Sequence, residues 1–229
     1  DMASKPHMHV IENNIINSTV IQSSFQNEIK HLIMLSCTLM YGSSQKPLKE
    51  KDLDLNDKIY PKYFGGAWMK IYMEKMSEFF SNISKTKFTI IRHSNLYGPF
   101  DKFDLKKSHV FGATINKVLN SKKYVNVLGK GNEKRDLLYI DDFIDFVDKA
   151  ILKQKKNFRI YNCGIGQYVS VNTLVKKIIK ISKRKLKIEH EKSFNSLNTF
   201  IKLDFKLASK ELGWKPKISL DKGIEKTIK

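Results

Sequence analysis

Short β-branched runs alternate along this chain with longer amphipathic stretches, and that alternation restricts the fold more than any other feature. The run Lys87 to Arg92 (KFTIIR) is too short for a helix and rich in branched residues, so it predicts a strand. His31 to Leu35 is a short apolar run of the kind found in buried parallel strands. Before it, His9 to Gln26 carries Val10, Ile11, Ile15, Ile16, Val20, Ile21 and Phe25 at helical spacing, and Gly66 to Ser81 reads as a second helix. Strands separated by helices predict an α/β fold. Tyr97-Gly98-Pro99 breaks the chain, and we place a domain boundary near Gly98.

Beyond it the spacing predicts a helix at Val110 to Leu119 and a strand at Tyr124 to Leu128, before a Gly129/Gly131 turn. A strand at Asp136 to Ile140 leads to a helix with Asp141 in the N-cap place, running to about Leu152. Then come a strand at Arg159 to Asn162, a helix at Val171 to Ser182 and a strand at Leu186 to His190. A helix at Phe205 to Leu212 is closed by Gly213, and Ser219 to Ile228 is the last. Gly164-Ile165-Gly166 follows a strand and precedes a helix, but lacks the third glycine of a nucleotide loop. It reads better as a plain turn.

At 41% hydrophobic the 229 residues can bury a proper core. No apolar run approaches the roughly 18 residues of a membrane span, and no leader is visible. Two cysteines, Cys37 and Cys163, are too few for a disulfide framework, so a cytoplasmic protein is expected. The net charge is +19. Its densest stretch, Lys176 to Lys187, lies on and after an amphipathic helix and reads as a solvated face. No zinc-finger spacing, RNA-recognition signature or basic zipper accompanies it, so no nucleic-acid partner is expected. No metal site is expected either.

Chemistry is carried by one ordered constellation. It runs Ser36-Cys37-Thr38-Leu39-Met40-Tyr41-Gly42, then Lys70 with Glu74, then Arg92-His93-Ser94-Asn95-Leu96-Tyr97-Gly98-Pro99. Ser108-His109-Val110, Arg135-Asp136, Asp141-Asp142 and Leu212-Gly213-Trp214-Lys215-Pro216 follow. In this order the segments resemble the extended short-chain dehydrogenases/reductases of the NAD-dependent epimerase/dehydratase family, in the register of the GDP-L-fucose synthase branch. The resemblance implies a truncated Rossmann-type parallel sheet with a small α/β substrate-binding domain. Residues 1–98 would be the C-terminal half of an NAD(P)-binding domain. Residues 99–229 would be mainly the substrate-binding domain, with strands returning to the first.

The implied activity is NAD(P)-dependent epimerisation and reduction of a nucleotide-diphosphate-linked 4-keto sugar by a homodimer. In such enzymes a tyrosine, kept acidic by a lysine one helical turn away, exchanges a proton with the sugar oxygen. A serine or threonine at a strand end shares the carbonyl hydrogen bond. A cysteine and a histidine move protons at the carbons beside the ketone.

On this sequence the lysine is Lys70 and the histidine is His109. The resemblance puts Lys70, Ser36 and His93 against NADP or NAD, and Asn95, Lys117 and Arg135 against the substrate. An arginine fork suits a diphosphate. A solvent lysine, a helix-start histidine, a turn asparagine, a solvated helix lysine and a surface arginine are the plainer readings of Lys70, His109, Asn95, Lys117 and Arg135.

Three departures bear on activity. The tyrosine position, four residues before Lys70, holds Gly66; Tyr63 is the candidate substitute if the helix extends that far. The serine position holds Cys37 with Thr38 beside it, and the cysteine position holds Leu39. Cys37 then serves as a displaced acid/base or as an inert thiol. No Gly-x-x-Gly-x-x-Gly turn occurs, so this chain alone is expected to bind the cofactor weakly or not at all. A non-catalytic relative acting as a binding or scaffolding subunit, and a nucleotide-sugar dehydratase or 4-epimerase, are the competing readings.

Overall fold

The strand predicted at Lys87 lies at the centre of three parallel strands in a computed structural model of the chain, which describes residues 6–191 and 200–228. The elements follow as α1 (Pro6–Gln26), β1 (His31–Ser36), α2 (Phe64–Ile83), β2 (Lys87–His93), β3 (Asn95–Tyr97) and α3 (Val110–Asn120). Next are β4 (Tyr124–Leu128), β5 (Lys134–Arg135), β6 (Leu137–Tyr139), α4 (Ile140–Lys153), β7 (Phe158–Cys163) and β8 (Val169–Ser170). The chain ends with α5 (Val171–Ile181), β9 (Lys187–Glu191), α6 (Lys206–Leu212) and α7 (Leu220–Thr227).

The sheet order is β1-β2-β7, and alternation along β2 decides which helices cover each face. Phe88 and Ile90 pack with Met34 of β1, Ile21 of α1 and Met73 of α2. Ile91 points the other way, joining Tyr161 and Cys163 of β7 against Phe146 of α4 and Ala208 and Leu212 of α6. Helices therefore cover both faces of a parallel sheet, the Rossmann-type arrangement. Trp214 locks the second layer. Its indole N–H donates to the Asp142 carbonyl at 2.9 Å, while the Asp142 carboxylate accepts the Lys217 and Ile218 N–H groups at 3.0 and 2.9 Å. The chain reaches that position by leaving α6 through Gly213, whose φ of 64° is the left-handed cap that the sequence predicts.

A further core lies over α3, α5 and α7. There Val125 and Val127 of β4, which pairs in parallel with β9, meet Ile115, Val118, Leu174, Val175, Ile178 and Ile224. The two parts are bridged by β3 and β6, which pair in parallel, and by β5 with β8, which pair antiparallel.

Three local expectations need correction. Asp141 is not the N-cap of α4: Tyr139 holds that place with extended backbone, and the Asp141 carboxylate lies in the first turn, 2.8 Å from Lys226 Nζ. β1 is not fully buried. It is the edge of the described sheet, with Leu35 44% exposed. The stretch around Tyr97 is not only a break, because Asn95 to Tyr97 form β3 before Gly98.

Candidate active site

Parallel pairing sets Ser36, Arg92 and Asn162 side by side at the C-terminal ends of the three strands. This is the end of an α/β sheet where ligands bind. The row is buried and tied together. Arg92 donates to both Glu74 oxygens, from Nε to Oε1 at 3.0 Å and from Nη2 to Oε2 at 2.6 Å. Its Nη1 donates to Tyr41 Oη at 2.8 Å, and Tyr41 donates on to Asn162 Oδ1 at 2.9 Å. Ser36 Oγ donates to Glu74 Oε1 at 2.6 Å, so this hydroxyl belongs to the buried network.

Lys70 lies one turn before Glu74 on α2. Its ammonium donates to the Leu35 carbonyl at 2.7 Å, just short of the end of β1. Burial lowers the Lys70 pKa from its ordinary value, with Cys37 and Glu74 opposing. Burial raises the Cys37 thiol, against the pull of the Leu39 N–H and of Lys70. Burial likewise lowers the His93 imidazole, which is held by the Ser94 carbonyl at 2.8 Å from Nδ1, and the Lys70 charge adds to that lowering. Lys70, Cys37 and His93 thus form one electrostatic group.

A cavity of about 500 Å³ is lined by Thr38, Leu39, Tyr60, Tyr63, Asn95, Lys134, Arg135 and Asp136, among others; Lys70, Cys37 and His93 are not in its lining, though Thr38 and Ser94, next to the last two in sequence, are. Tyr63 ends a short 3-10 turn and caps α2, which begins only at Phe64, so the helix does not extend back through it. Asn95 Nδ2 donates to the Asp136 carbonyl at 3.1 Å. Lys117 lies elsewhere, its ammonium on the Asn126 carbonyl at 3.2 Å, and lines a second cavity that it shares with Arg135. His109 stands exposed as the N-cap residue of α3 and is not in the lining of either cavity.

Asp136 is the residue whose importance the sequence reading missed. Its buried carboxylate accepts three backbone N–H groups, from Ile165 at 3.0 Å, Gly166 at 3.3 Å and Leu203 at 3.1 Å. A Cβ on Gly164 would stand 2.8 Å from Asp136 Oδ2, and Gly166 has a φ of +70°. The Gly164-Ile165-Gly166 turn therefore cradles the protein's own carboxylate. The only signal in the sequence was the position of Asp136 next to Arg135.

Burial raises the Asp136 pKa from 3.8 to about 6, with the N–H donors opposing. The folded state then holds this proton more tightly than the unfolded chain does. Stability from this group is full below about pH 4 and is lost as the pH rises through about 6. Urea denaturation across that window should show parent stability falling with pH relative to Asp136→Asn, which has no proton to lose there. Parallel pH profiles would refute the assignment.

A parallel sheet covered on both faces by helices defines a Rossmann-type α/β protein. Residues 3–164 match the model of the NAD dependent epimerase/dehydratase family, and the chain belongs to that family. It is 28% identical over 229 residues to GDP-L-colitose synthase of Yersinia pseudotuberculosis, covering 98% of this chain and 74% of that protein. It is 29% identical to GDP-L-fucose synthase of Sinorhizobium fredii, covering 97% and 71%. Among solved structures, UDP-glucose 4-epimerase of Thermotoga maritima with UDP-glucose superimposes with a TM-score of 0.86 at 25% identity, over 99% of this chain and 71% of that one.

Proposed function

We propose that the protein is an NAD(P)-dependent epimerase/reductase of a nucleotide-diphosphate-linked 4-keto sugar, working in the cytoplasm as a homodimer. The observation that carries this reading is the cavity joining Thr38 and Asn95, at the strand ends, to the Arg135 fork. The names of the relatives support it. The domain boundary near Gly98 is part of the same reading.

The residues at the strand ends fit the nicotinamide end of the cofactor. Lys70 is a half-buried cation anchored by a backbone carbonyl, with an ammonium that has further donors, and His93 lies within its field. NAD(P), when bound there, supplies the hydride for the sugar carbon. Thr38 shares the ketone oxygen, and Asn95 and Arg135 hold the sugar and its diphosphate. Cys37 and His109 are the two candidates to move a proton beside the ketone, and neither is in the lining of the strand-end cavity.

The chain should be assayed with GDP-, UDP- and dTDP-linked 4-keto sugars and NADH or NADPH. Nicotinamide absorbance reports reduction, and deuterium wash-in read by mass spectrometry reports epimerisation. Cys37→Ser and His109→Asn separate the two candidates: the residue whose variant loses wash-in carries the step. No turnover and no wash-in with any of these sugars would overturn the reading. Gly66 in the tyrosine position favours a second reading, a non-catalytic relative.

Self-association is expected through α1 and α2, which pack on each other with the Phe25 and Phe80 rings 5.3 Å apart. Their outer faces expose Ile11, Ile15, Ile16, Phe64, Tyr72 and Phe79, a large apolar surface to leave to water. Light scattering at tens of micromolar should give a dimer, and Ile15→Glu with Tyr72→Glu should give a monomer. A monomeric parent would remove this part of the reading.

A further inference from the structure

The basic run from Lys176 to Lys187 does not stay together in the fold. Lys177 pairs with Asp221 of α7 at 2.5 Å, while the last part of the run leaves α5 and meets the loop between α3 and β4. The Lys187 N–H donates to the Lys123 carbonyl at 3.0 Å, and the Arg184 guanidinium donates to the Ser121 carbonyl. Parallel pairing of β4 with β9 sets Tyr124 beside Lys187. Lys122, Lys123, Lys183, Arg184, Lys185 and Lys187 are therefore gathered where α3 and α5 end and β4 and β9 begin. All six are exposed, and among the described residues none of them is in an ion pair. Attraction to a helix C-terminus accounts for one such cation, not for six drawn from two loops.

The turn out of α5 has a second feature. It closes on Lys183, whose φ of 55° is left-handed, as α6 closes on Gly213. The Lys183 N–H donates to the Lys180 carbonyl and the Arg184 N–H to the Ile179 carbonyl, both at 3.2 Å, the pattern of a helix end that glycine usually occupies. A side chain is strained in this backbone where glycine is not. Packing does not explain the lysine, because its side chain is exposed.

We propose that this end of the molecule docks on the headgroups of an anionic phospholipid membrane. Five of the six cations are lysines, point charges on flexible stems. They suit a layer of many mobile anions better than one shaped anion, which an arginine fork would hold. Tyr124 and Leu119, 51% and 38% exposed, flank the lysines in the chain, and tyrosine is a residue of the headgroup boundary. A nucleic acid is the other polyanion. The single arginine is already engaged with Ser121, and one exposed ring gives little for bases to stack on. Neither the strand-end cavity nor the second cavity takes any lining from these loops, so the surface is separate from the candidate site.

Co-sedimentation of the whole chain with vesicles tests the proposal, comparing phosphatidylcholine alone with phosphatidylcholine carrying about one third phosphatidylglycerol. Binding is expected to the anionic vesicles only, and to fall steeply as salt is raised. Lys123→Gln with Lys185→Gln should weaken it roughly 25-fold, about fivefold for each charge taken from the surface. Lys155→Gln with Lys156→Gln removes the same charge from two exposed lysines elsewhere and should change it by less than about twofold, because distant charges are screened. Lys183→Gly should lose about fivefold in binding yet resist urea at least as well as the parent, since glycine relieves the left-handed backbone. Binding to neither vesicle, equal binding to both, or equal losses from the two lysine pairs would overturn the proposal. A Lys183→Gly protein that binds as well as its parent would do the same. Tighter binding to a DNA or RNA oligonucleotide at the same salt would make nucleic acid the partner and overturn the membrane.

Discussion

Replacing Glu74 by alanine is expected to cost about 3–5 kcal/mol of folding stability, the usual loss when one partner of a buried ion pair is removed. Glu74 and Arg92 are each 3% exposed, so the guanidinium left behind has no access to water. Burial works against that charge, and the Glu74 carboxylate more than offsets it, holding the Arg92 pKa above its ordinary value. The loss is not confined to one contact. Glu74 also accepts the Ser36 hydroxyl, while Arg92 holds Tyr41 and the Glu50 carbonyl, and Tyr41 reaches Asn162. The network therefore ties α2, all three sheet strands and the loop at Glu50 into one body. Urea denaturation of Glu74→Ala and Arg92→Ala should show comparable losses. Glu74→Leu combined with Arg92→Met should recover much of the loss, because an apolar pair leaves no buried charge. A single-variant loss below about 1 kcal/mol, the range of an exposed pair, would show that water reaches the site.

The main elements were legible because period and length decide them. Tyr124 to Leu128 is short, β-branched at Val125 and Val127 and stopped by Gly129, and it forms β4 over those same residues. Val171 to Ile181 has its apolar residues on one helical face and forms α5. Legibility failed where tertiary partners decide. Asn95 to Tyr97 is a strand because β6 lies alongside, and nothing local marks a three-residue strand. Asp141 looked like a cap, but Tyr139 already has the extended backbone there and Asp141 is drawn to Lys226.

The site divides in the same way. Lys70, Thr38, Asn95 and Arg135 were found through their places in a motif order. The partners of Asp136 come from residues 165, 166 and 203, so its role depends on a fold that brings distant segments together. Glu74 was read as the residue one turn after Lys70, yet its carboxylate turns to Arg92, eighteen residues away.

Gly66→Tyr is expected to raise sugar reduction by roughly 100-fold or more, the usual scale for a positioned acid. Residue 66 lies one helical turn before Lys70 on α2, where a phenol would have the ammonium beside it to keep it acidic. The backbone accepts a side chain there. A Cβ on Gly66 would meet only Leu39 Cδ1, at 3.9 Å, and Leu39 lines the strand-end cavity. At Gly65 the same atom would meet Val10 Cγ2 at 2.8 Å, so the space is specific to position 66. Replacing a helical glycine also narrows the unfolded ensemble, which helps the variant fold.

Tyr63→Phe separates the alternatives. Tyr63 lines the cavity from outside the helix, so it is not locked to Lys70 by helical geometry. If it is the working acid, Tyr63→Phe loses roughly 100-fold in the parent and Gly66→Tyr adds little. The expected pattern is a small loss from Tyr63→Phe and a gain from Gly66→Tyr that survives in the double variant. A folded Gly66→Tyr protein that reduces no faster than its parent would mean that the missing tyrosine is not what limits the chemistry, and the weight would pass to the non-catalytic reading.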